Sequence, residues 1–168
     1  DSLEVLDIPP KTRQYFETGA LNDLFEGHAP YRPRYIMPDY KKFVKQGSEF
    51  LRVESPKTFD ELLTGLQILY HHVPSITGFP VYLGELDTMI EPFIGEVADD
   101  VVKEKLRLFL IFLDRTITDS FCHANLGSRP TRAGRIILEL EKDLQNTVPN
   151  LTLKYDPEIT PDEYAELA

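Results

Sequence analysis

Apolar residues recur at a spacing of three and four along much of the chain, which is the spacing of one helix face. The clearest stripes span residues 58–73, 100–116 and 131–145. Residues 106–113 are apolar nearly all round, as in a helix that is buried on most sides. Thr58 and Glu61 have the spacing of a capping box, and Pro74 is expected to end the helix that they begin. The pattern therefore predicts a mainly α fold.

One segment near the C-terminus has the alternation of a β-strand. Residues 151–155 (LTLKY) place apolar and polar side chains in turn, and residues 160–163 (TPDE) form a second capping box for a helix that runs to Ala168. A strand followed by a helix is expected to pair with a further parallel strand, and none follows. We therefore predict that the chain stops partway through a βαβ unit. The strand would then be an orphan edge through which the chain associates with itself.

Charge and composition argue against two classes of partner. Eighteen Lys and Arg residues against 28 Asp and Glu residues give a formal net charge of −10, which disfavours nucleic acid and anionic membrane surfaces. The longest strongly apolar run is far shorter than the roughly 20 residues that span a bilayer, and the N-terminus lacks a signal-peptide pattern. A single cysteine, Cys122, suits a reducing cytoplasm. A start at Asp rather than Met is expected of an excised or processed piece.

Several stretches, spread from about Tyr15 to Tyr164, resemble the YjjI-type glycyl-radical enzymes. They are residues 25–35 (FEGHAPYRPRY), 68–75 (ILYHHVPS), 80–84 (PVYLG) and 149–152 (PNLT). Further stretches are similar to motifs of the wider superfamily that includes pyruvate formate-lyase and glycerol dehydratase. They are residues 37–43 (MPDYKKF), residues 84–93 (GELDTMIEPF), and residues 150–155 together with 160–163.

The resemblance implies that the chain is the N-terminal fragment of a longer enzyme. Residues 1–148 would form its helical N-terminal region, and residues 149–168 would supply the first strand and helix of a ten-stranded α/β barrel. In such enzymes a thiyl-forming cysteine lies on a mid-chain hairpin and a radical-bearing glycine lies near the C-terminus. A radical-SAM iron–sulfur activating enzyme installs the radical.

The implied reaction is hydrogen abstraction followed by C–C cleavage or elimination on a small molecule. The resemblance places no catalytic residue within residues 1–168, so the fragment alone is expected to hold no cofactor and to be inactive. The expected partners are the rest of the parent chain, the activating enzyme, a small-molecule substrate and further copies of the parent.

Candidate substrate contacts lie on a proline-rich loop at His28, Arg32, Arg34 and Tyr35. Two guanidinium groups suit a carboxylate or phosphate. In related eliminases a histidine shortly before the Pro-Asp/Asn-Tyr motif helps to bind substrate hydroxyls. Tyr35 stands near that place here, and His28 is an imidazole that could serve instead. The alternative is that this loop packs under the barrel with its arginines paired to surface acids.

A second candidate segment follows the apolar helix and contains His123 and Asn125, which could bind substrate or satisfy neighbouring backbone groups. Cys122, beside them, is expected to be a packed and inert thiol. No two histidines have the i, i+4 spacing of a helical zinc site, so no metal site is predicted. A rival hypothesis is a self-sufficient helical interaction or regulatory module, whose exposed apolar stripes would be partner grooves.

Overall fold

The computed structural model describes residues 7–21, 37–77, 81–116 and 122–168, without the side chains of residues 74–77. The chain divides into two units, residues 1–34 and residues 35–168. The described part of the first unit contains helix α1 (Pro10–Glu17), which begins with a proline at a position where no backbone donor is needed. The Thr18 hydroxyl donates to the Gln14 carbonyl and so caps the C-terminal end of this helix.

The described part of the second unit contains, in chain order, α2 (Tyr40–Gln46), α3 (Phe59–Thr77), β1 (Val81–Glu85), α4 (Leu86–Ile94), α5 (Asp99–Arg115), β2 (Cys122–Leu126), α6 (Arg132–Leu144), β3 (Asn150–Leu153) and α7 (Asp162–Ala165). Helices hold most of this regular structure, so the prediction of a mainly α fold is confirmed.

Side-chain caps define where two of the long helices begin. At the start of α3, the Thr58 hydroxyl accepts from the Glu61 amide (3.2 Å) and the Glu61 carboxylate accepts from the Thr58 amide (3.1 Å), which confirms the predicted capping box. The Thr131 hydroxyl caps α6 by accepting from the Gly134 amide at 2.9 Å. The prediction that Pro74 ends α3 is wrong. Proline removes one amide donor, but the backbone continues as a helix beyond it.

The second predicted capping box, before α7, is also wrong, because this helix begins without a side-chain cap. The Thr160 hydroxyl instead donates to the Ser128 carbonyl (2.8 Å) and accepts from the Asp156 amide (3.0 Å). It therefore ties the turn before α7 to the loop between β2 and α6. Tyr164 of α7 is fully buried beside Gly134 of α6.

The three strands form one parallel sheet in the order β1-β2-β3. Strand β3 pairs with β2 along its whole length, and β2, α6 and β3 form a complete βαβ unit. The prediction of an orphan strand in a half-finished βαβ unit is therefore wrong, because the partner strand comes earlier in the chain rather than later. The outer edge of β3 has no strand partner among the described residues.

One face of the sheet is apolar and packs against the helices. We call it the apolar face, and it consists of Val81, Leu83, Cys122, Ala124 and Leu126, all fully buried, with Leu151 and Leu153 partly buried. Helix α5 joins the same core through Leu106, Phe109, Leu110 and Leu113, which are buried, and Phe112 packs against it. Most of residues 106–113 are therefore buried or half-buried as predicted, and the side that carries Leu108, which is 53% exposed, is open.

Candidate functional site

The other face of the sheet carries polar side chains. We call it the polar face, and it consists of Tyr82, Glu85, His123, Asn125, Asn150 and Thr152. The strand register aligns these residues in two rows, Tyr82–His123–Asn150 and Glu85–Asn125–Thr152. The side chains contributed by β1 and β2 are half-buried, and those contributed by β3 are exposed.

An irregularity in β1 brings Glu85 into the second row. Strict alternation after Tyr82 would place Gly84 opposite Asn125, but the register shifts so that Glu85 pairs with Asn125. Gly84 has a φ of 67°, a left-handed conformation that glycine adopts readily at a β-bulge. Bulges of this kind redirect side chains and are frequent next to active sites.

Tyr82, His123 and Asn125 form a connected trio on neighbouring strands. The Tyr82 hydroxyl donates to Oδ1 of Asn125 at 2.6 Å. The Tyr82 ring stacks on the His123 imidazole, with ring centroids 5.9 Å apart and planes inclined by 12°. The structure thus brings the two predicted residues together on one strand face. It adds Tyr82, which is not among the predicted site residues.

A pair of opposite charges lies at the carboxyl end of the sheet. The Lys154 ammonium donates to the Glu85 carboxylate at 2.5 Å and links the end of β3 to the end of β1. This hydrogen bond lowers the pKa of the Glu85 carboxyl, and Lys41 contributes in the same direction. In open parallel α/β sheets, ligands bind at the carboxyl ends of the strands. A small polar molecule at this end would meet the Asn125 amide beside the charged pair.

Two acids of α4 anchor the loop that follows β2. Asp87 is fully buried and accepts from the Gly127 amide (2.9 Å) and the Thr131 hydroxyl (3.0 Å). Glu91, one turn further along α4, accepts from the Ala133 amide (2.8 Å) in the first turn of α6, where the helix dipole favours a carboxylate. The spacing of the two acids is visible in the sequence, but the amides that they bind are brought near only by the fold.

Four of the predicted site residues, His28, Arg32, Arg34 and Tyr35, lie outside the described residues. Cys122 is described and lies on the apolar face, on the opposite side of β2 from His123. Burial raises the pKa of its thiol, which disfavours the nucleophilic thiolate. The prediction that Cys122 is a packed thiol is confirmed.

Two surface grooves lie away from the trio. The larger, of about 600 Å³, lies between the N-terminal parts of α5 and α6, and its lining cations are already ion-paired. These pairs are Arg132–Asp99 (2.5 Å), Lys103–Glu139 (3.4 Å) and Arg135–Glu163 (3.0 Å). The smaller, of about 290 Å³, borders the loop between α6 and β3 and reaches Asn150.

Within the described ranges, no group of three or more His, Cys, Asp and Glu side chains could hold a metal ion, and the prediction of no metal site stays a prediction. No helix in the same ranges is long and apolar enough to cross a membrane.

A family model described as "Glycyl radical enzyme YjjI-like" matches residues 1–168. The chain belongs to the YjjI-like glycyl radical enzyme family. The resemblance carried by the motifs of the sequence is thereby confirmed over the whole chain.

Two curated relatives of this chain are much longer. The uncharacterized protein YjjI of Escherichia coli (strain K12) is 45% identical over 163 residues, which cover 97% of this chain and 32% of the relative. An uncharacterized protein of Haemophilus influenzae (strain ATCC 51907 / DSM 11121 / KW20 / Rd) is 47% identical over 168 residues, which cover 100% of this chain and 32% of the relative. The chain spans about a third of the length of these relatives.

Proposed function

We propose that this chain is the N-terminal third of a glycyl radical enzyme and that its polar face contacts the substrate in the complete protein. The reaction of the complete enzyme would be hydrogen abstraction from a small molecule, followed by C–C cleavage or elimination. The family match and the one-third coverage of the relatives support the first part of the proposal. The polar face supports the second.

One observation supports the proposed substrate contact: the polar face of this parallel sheet is partly exposed to solvent. Parallel sheets are almost always covered on both faces. Here one face is packed on helices, whereas Asn150 and Thr152 on the other are exposed and His123 and Asn125 are half-buried. Further layers of the complete enzyme would enclose this face. A few polar groups converging inside an enclosure are the usual composition of a small-molecule site.

The same proposal assigns the barrel and the radical chemistry to the complete enzyme. Residues 149–168 would begin its ten-stranded α/β barrel, and the open edge of β3 would receive a further strand. Cys122 is the single cysteine of the sequence and lies on the apolar face, away from the trio, so the thiyl-forming cysteine would come from elsewhere, as would the radical glycine. The glycyl radical, installed by a radical-SAM activating enzyme, would supply the hydrogen abstraction that ordinary side chains cannot perform.

The residues of this chain would bind and orient the substrate. His123 and Asn125 would contact its polar atoms, and the pair of Glu85 and Lys154 would close the carboxyl end of the sheet. Arg32 and Arg34, which lie outside the described residues, would hold an anionic group of the substrate, and His28 and Tyr35 would be further contacts. The complete enzyme is expected to act in the cytoplasm as an oligomer of identical chains.

The proposal is tested on the complete protein, treated without oxygen by its activating enzyme. Electron paramagnetic resonance should detect a glycyl radical in the wild type, in an Asn125→Leu variant and in a Lys103→Gln control on the exposed side of α5. The wild type and the control should then consume a component of a small-molecule cell extract, and Asn125→Leu should not.

Absence of the radical in every sample would contradict the enzyme assignment and favour the helical interaction module. Radical formation with equal consumption by Asn125→Leu would contradict the substrate contact alone.

A further inference from the structure

The bond between Tyr82 and Asn125 has a consequence for what the polar face can recognise. A primary amide offers one acceptor oxygen and one donor nitrogen, and rotation by half a turn exchanges them. An unrestrained asparagine therefore suits ligands that donate as well as ligands that accept. A neighbouring group that engages one end of the amide removes this ambiguity.

Tyr82 engages the acceptor end. Its hydroxyl lies 2.6 Å from Oδ1 of Asn125, within the range of a strong O–H···O bond. A phenol donates better than it accepts, because its lone pair is delocalised into the ring, so the bond favours Oδ1 over Nδ2 at this position. Within the described part of the chain, no hydrogen bond uses Nδ2 of Asn125, which lies on the half-buried polar face.

The Tyr82 side chain is itself held in place, which gives the bond a fixed direction. Its ring stacks on His123 at 5.9 Å, with planes only 12° apart, and the two residues are register partners on adjacent strands. The bulge at Gly84, two residues after Tyr82, places Glu85 rather than the glycine opposite Asn125. The Tyr82 hydroxyl is thus fixed at the acceptor end of the Asn125 amide.

We infer that Tyr82 is a positioning residue that holds the Asn125 amide with its nitrogen toward the ligand, so that the polar face selects a small molecule with a hydrogen-bond-accepting oxygen. The inference deepens the proposed function and rests on it. Both carboxylates and hydroxyls provide such an oxygen, and a ligand that only donates, such as an alkylammonium ion, does not.

Three probes with the same carbon skeleton test this selectivity on the complete protein: propionate, 1-propanol and n-propylammonium. Binding is measured by saturation-transfer NMR, which observes the probe and so tolerates a large protein. In the wild type, propionate or 1-propanol should bind more tightly than n-propylammonium, and Asn125→Leu should abolish the difference. The stronger of the two oxygen probes identifies the substrate as a carboxylate or as an alcohol.

The decisive variant is Tyr82→Phe, which keeps the ring on His123 and removes only the hydroxyl. With the amide free to rotate, the preference for the oxygen probe should fall by about threefold to tenfold, the equivalent of one hydrogen bond. Loss of preference with retained binding is not expected of a residue that merely supports the fold. Tyr155→Phe, on an exposed tyrosine beyond β3, is the matched control and should keep the preference.

The two ideas fail in different ways. If Tyr82→Phe retains the wild-type preference while Asn125→Leu loses it, Tyr82 is not the positioning residue, and the proposed substrate contact still stands. If no probe signal in any sample depends on Asn125, the substrate contact of the proposed function is contradicted together with this inference.

Discussion

The two faces of the sheet are carried by the same strands but are built on different physical terms. On the apolar face, Leu83 and Leu126 are fully buried among helices, and each contributes through the apolar area it removes from water. On the polar face, Tyr82, His123 and Asn125 are positioned by one hydrogen bond and one ring stack. Alternating residues of the same strands therefore have different roles: those on the apolar face stabilise the fold, and those on the polar face are available for recognition. Substitution should lower the free energy of unfolding strongly on the apolar face and change it little on the polar face.

The largest effect is expected on the apolar face. Leu83→Ala leaves a cavity at a fully buried position and should lower the free energy of unfolding by about 2–5 kcal/mol, measured by urea denaturation followed by circular dichroism. A loss below about 1 kcal/mol would break the comparison, because the apolar face would then not be part of the stabilising core.

A second substitution tests the packing of α7 against α6. Gly134→Ala would ordinarily stabilise a helix, but a Cβ at this position would lie 2.1 Å from the buried Tyr164 hydroxyl. We expect a loss of about 1–3 kcal/mol in the free energy of unfolding. Tyr164→Phe removes the clashing oxygen and should recover part of that loss in the double variant. A stabilising Gly134→Ala would show that α7 does not pack as described.

Glu141 on α6 provides a pH-dependent test next to β3. Burial raises the pKa of this carboxyl to about 7, and the neighbouring Asp114 carboxylate adds to the rise, while a hydrogen bond from Asn146 opposes it. The folded chain therefore holds a proton that the unfolded chain releases near its ordinary value of 4.5. This contribution to stability is fully present below about pH 4.5 and is lost as the pH rises to about 7.

Because Glu141 is only half-buried, solvent screening reduces the contribution to about 1 kcal/mol. Glu141→Gln should remove this part of the pH dependence when urea unfolding is compared at pH 5 and pH 8. The exposed neighbour Glu139, changed to Gln, should keep the wild-type slope. An unchanged slope in Glu141→Gln would show that the carboxyl is ionised throughout this range.

The smallest effect is expected on the polar face. Thr152→Ala should change the free energy of unfolding by less than about 0.5 kcal/mol, because the side chain is exposed. Placed beside Leu83→Ala in the same denaturation series, it measures the contrast between the two faces directly. A loss near that of Leu83→Ala would mean that the polar face is part of the core.

Helices were predictable from this sequence, and two of the three strands were not. The stripes of α3, α5 and α6 persist over several turns, so local periodicity identifies them. Strands β1 and β2 are five residues each, and β1 contains Gly84 and directly follows Pro80, a combination typical of an irregular segment. These segments are strands because they pair in parallel with residues far away in the chain. No local sequence pattern indicates that pairing.

The same limit applies to the site. His123 and Asn125 could be named because a polar pair after an apolar helix is conspicuous, but their partner Tyr82 lies some forty residues earlier and meets them only through the sheet register. Asp87 was part of a family motif, but its burial and its two bonds to the next loop come from packing between α4 and α6.

The bulge at Gly84 makes the chemistry of the polar face depend on backbone conformation as well as on residue type. Because successive strand residues point to opposite faces, regular pairing of the same residues would place Gly84 opposite Asn125 and turn the Glu85 carboxylate toward the apolar face. A substitution that excluded the left-handed conformation of Gly84 would therefore move a charge toward the core and deprive Lys154 of its partner, although every side chain of the trio would still be present. A residue without a side chain thus decides which face its charged neighbour occupies.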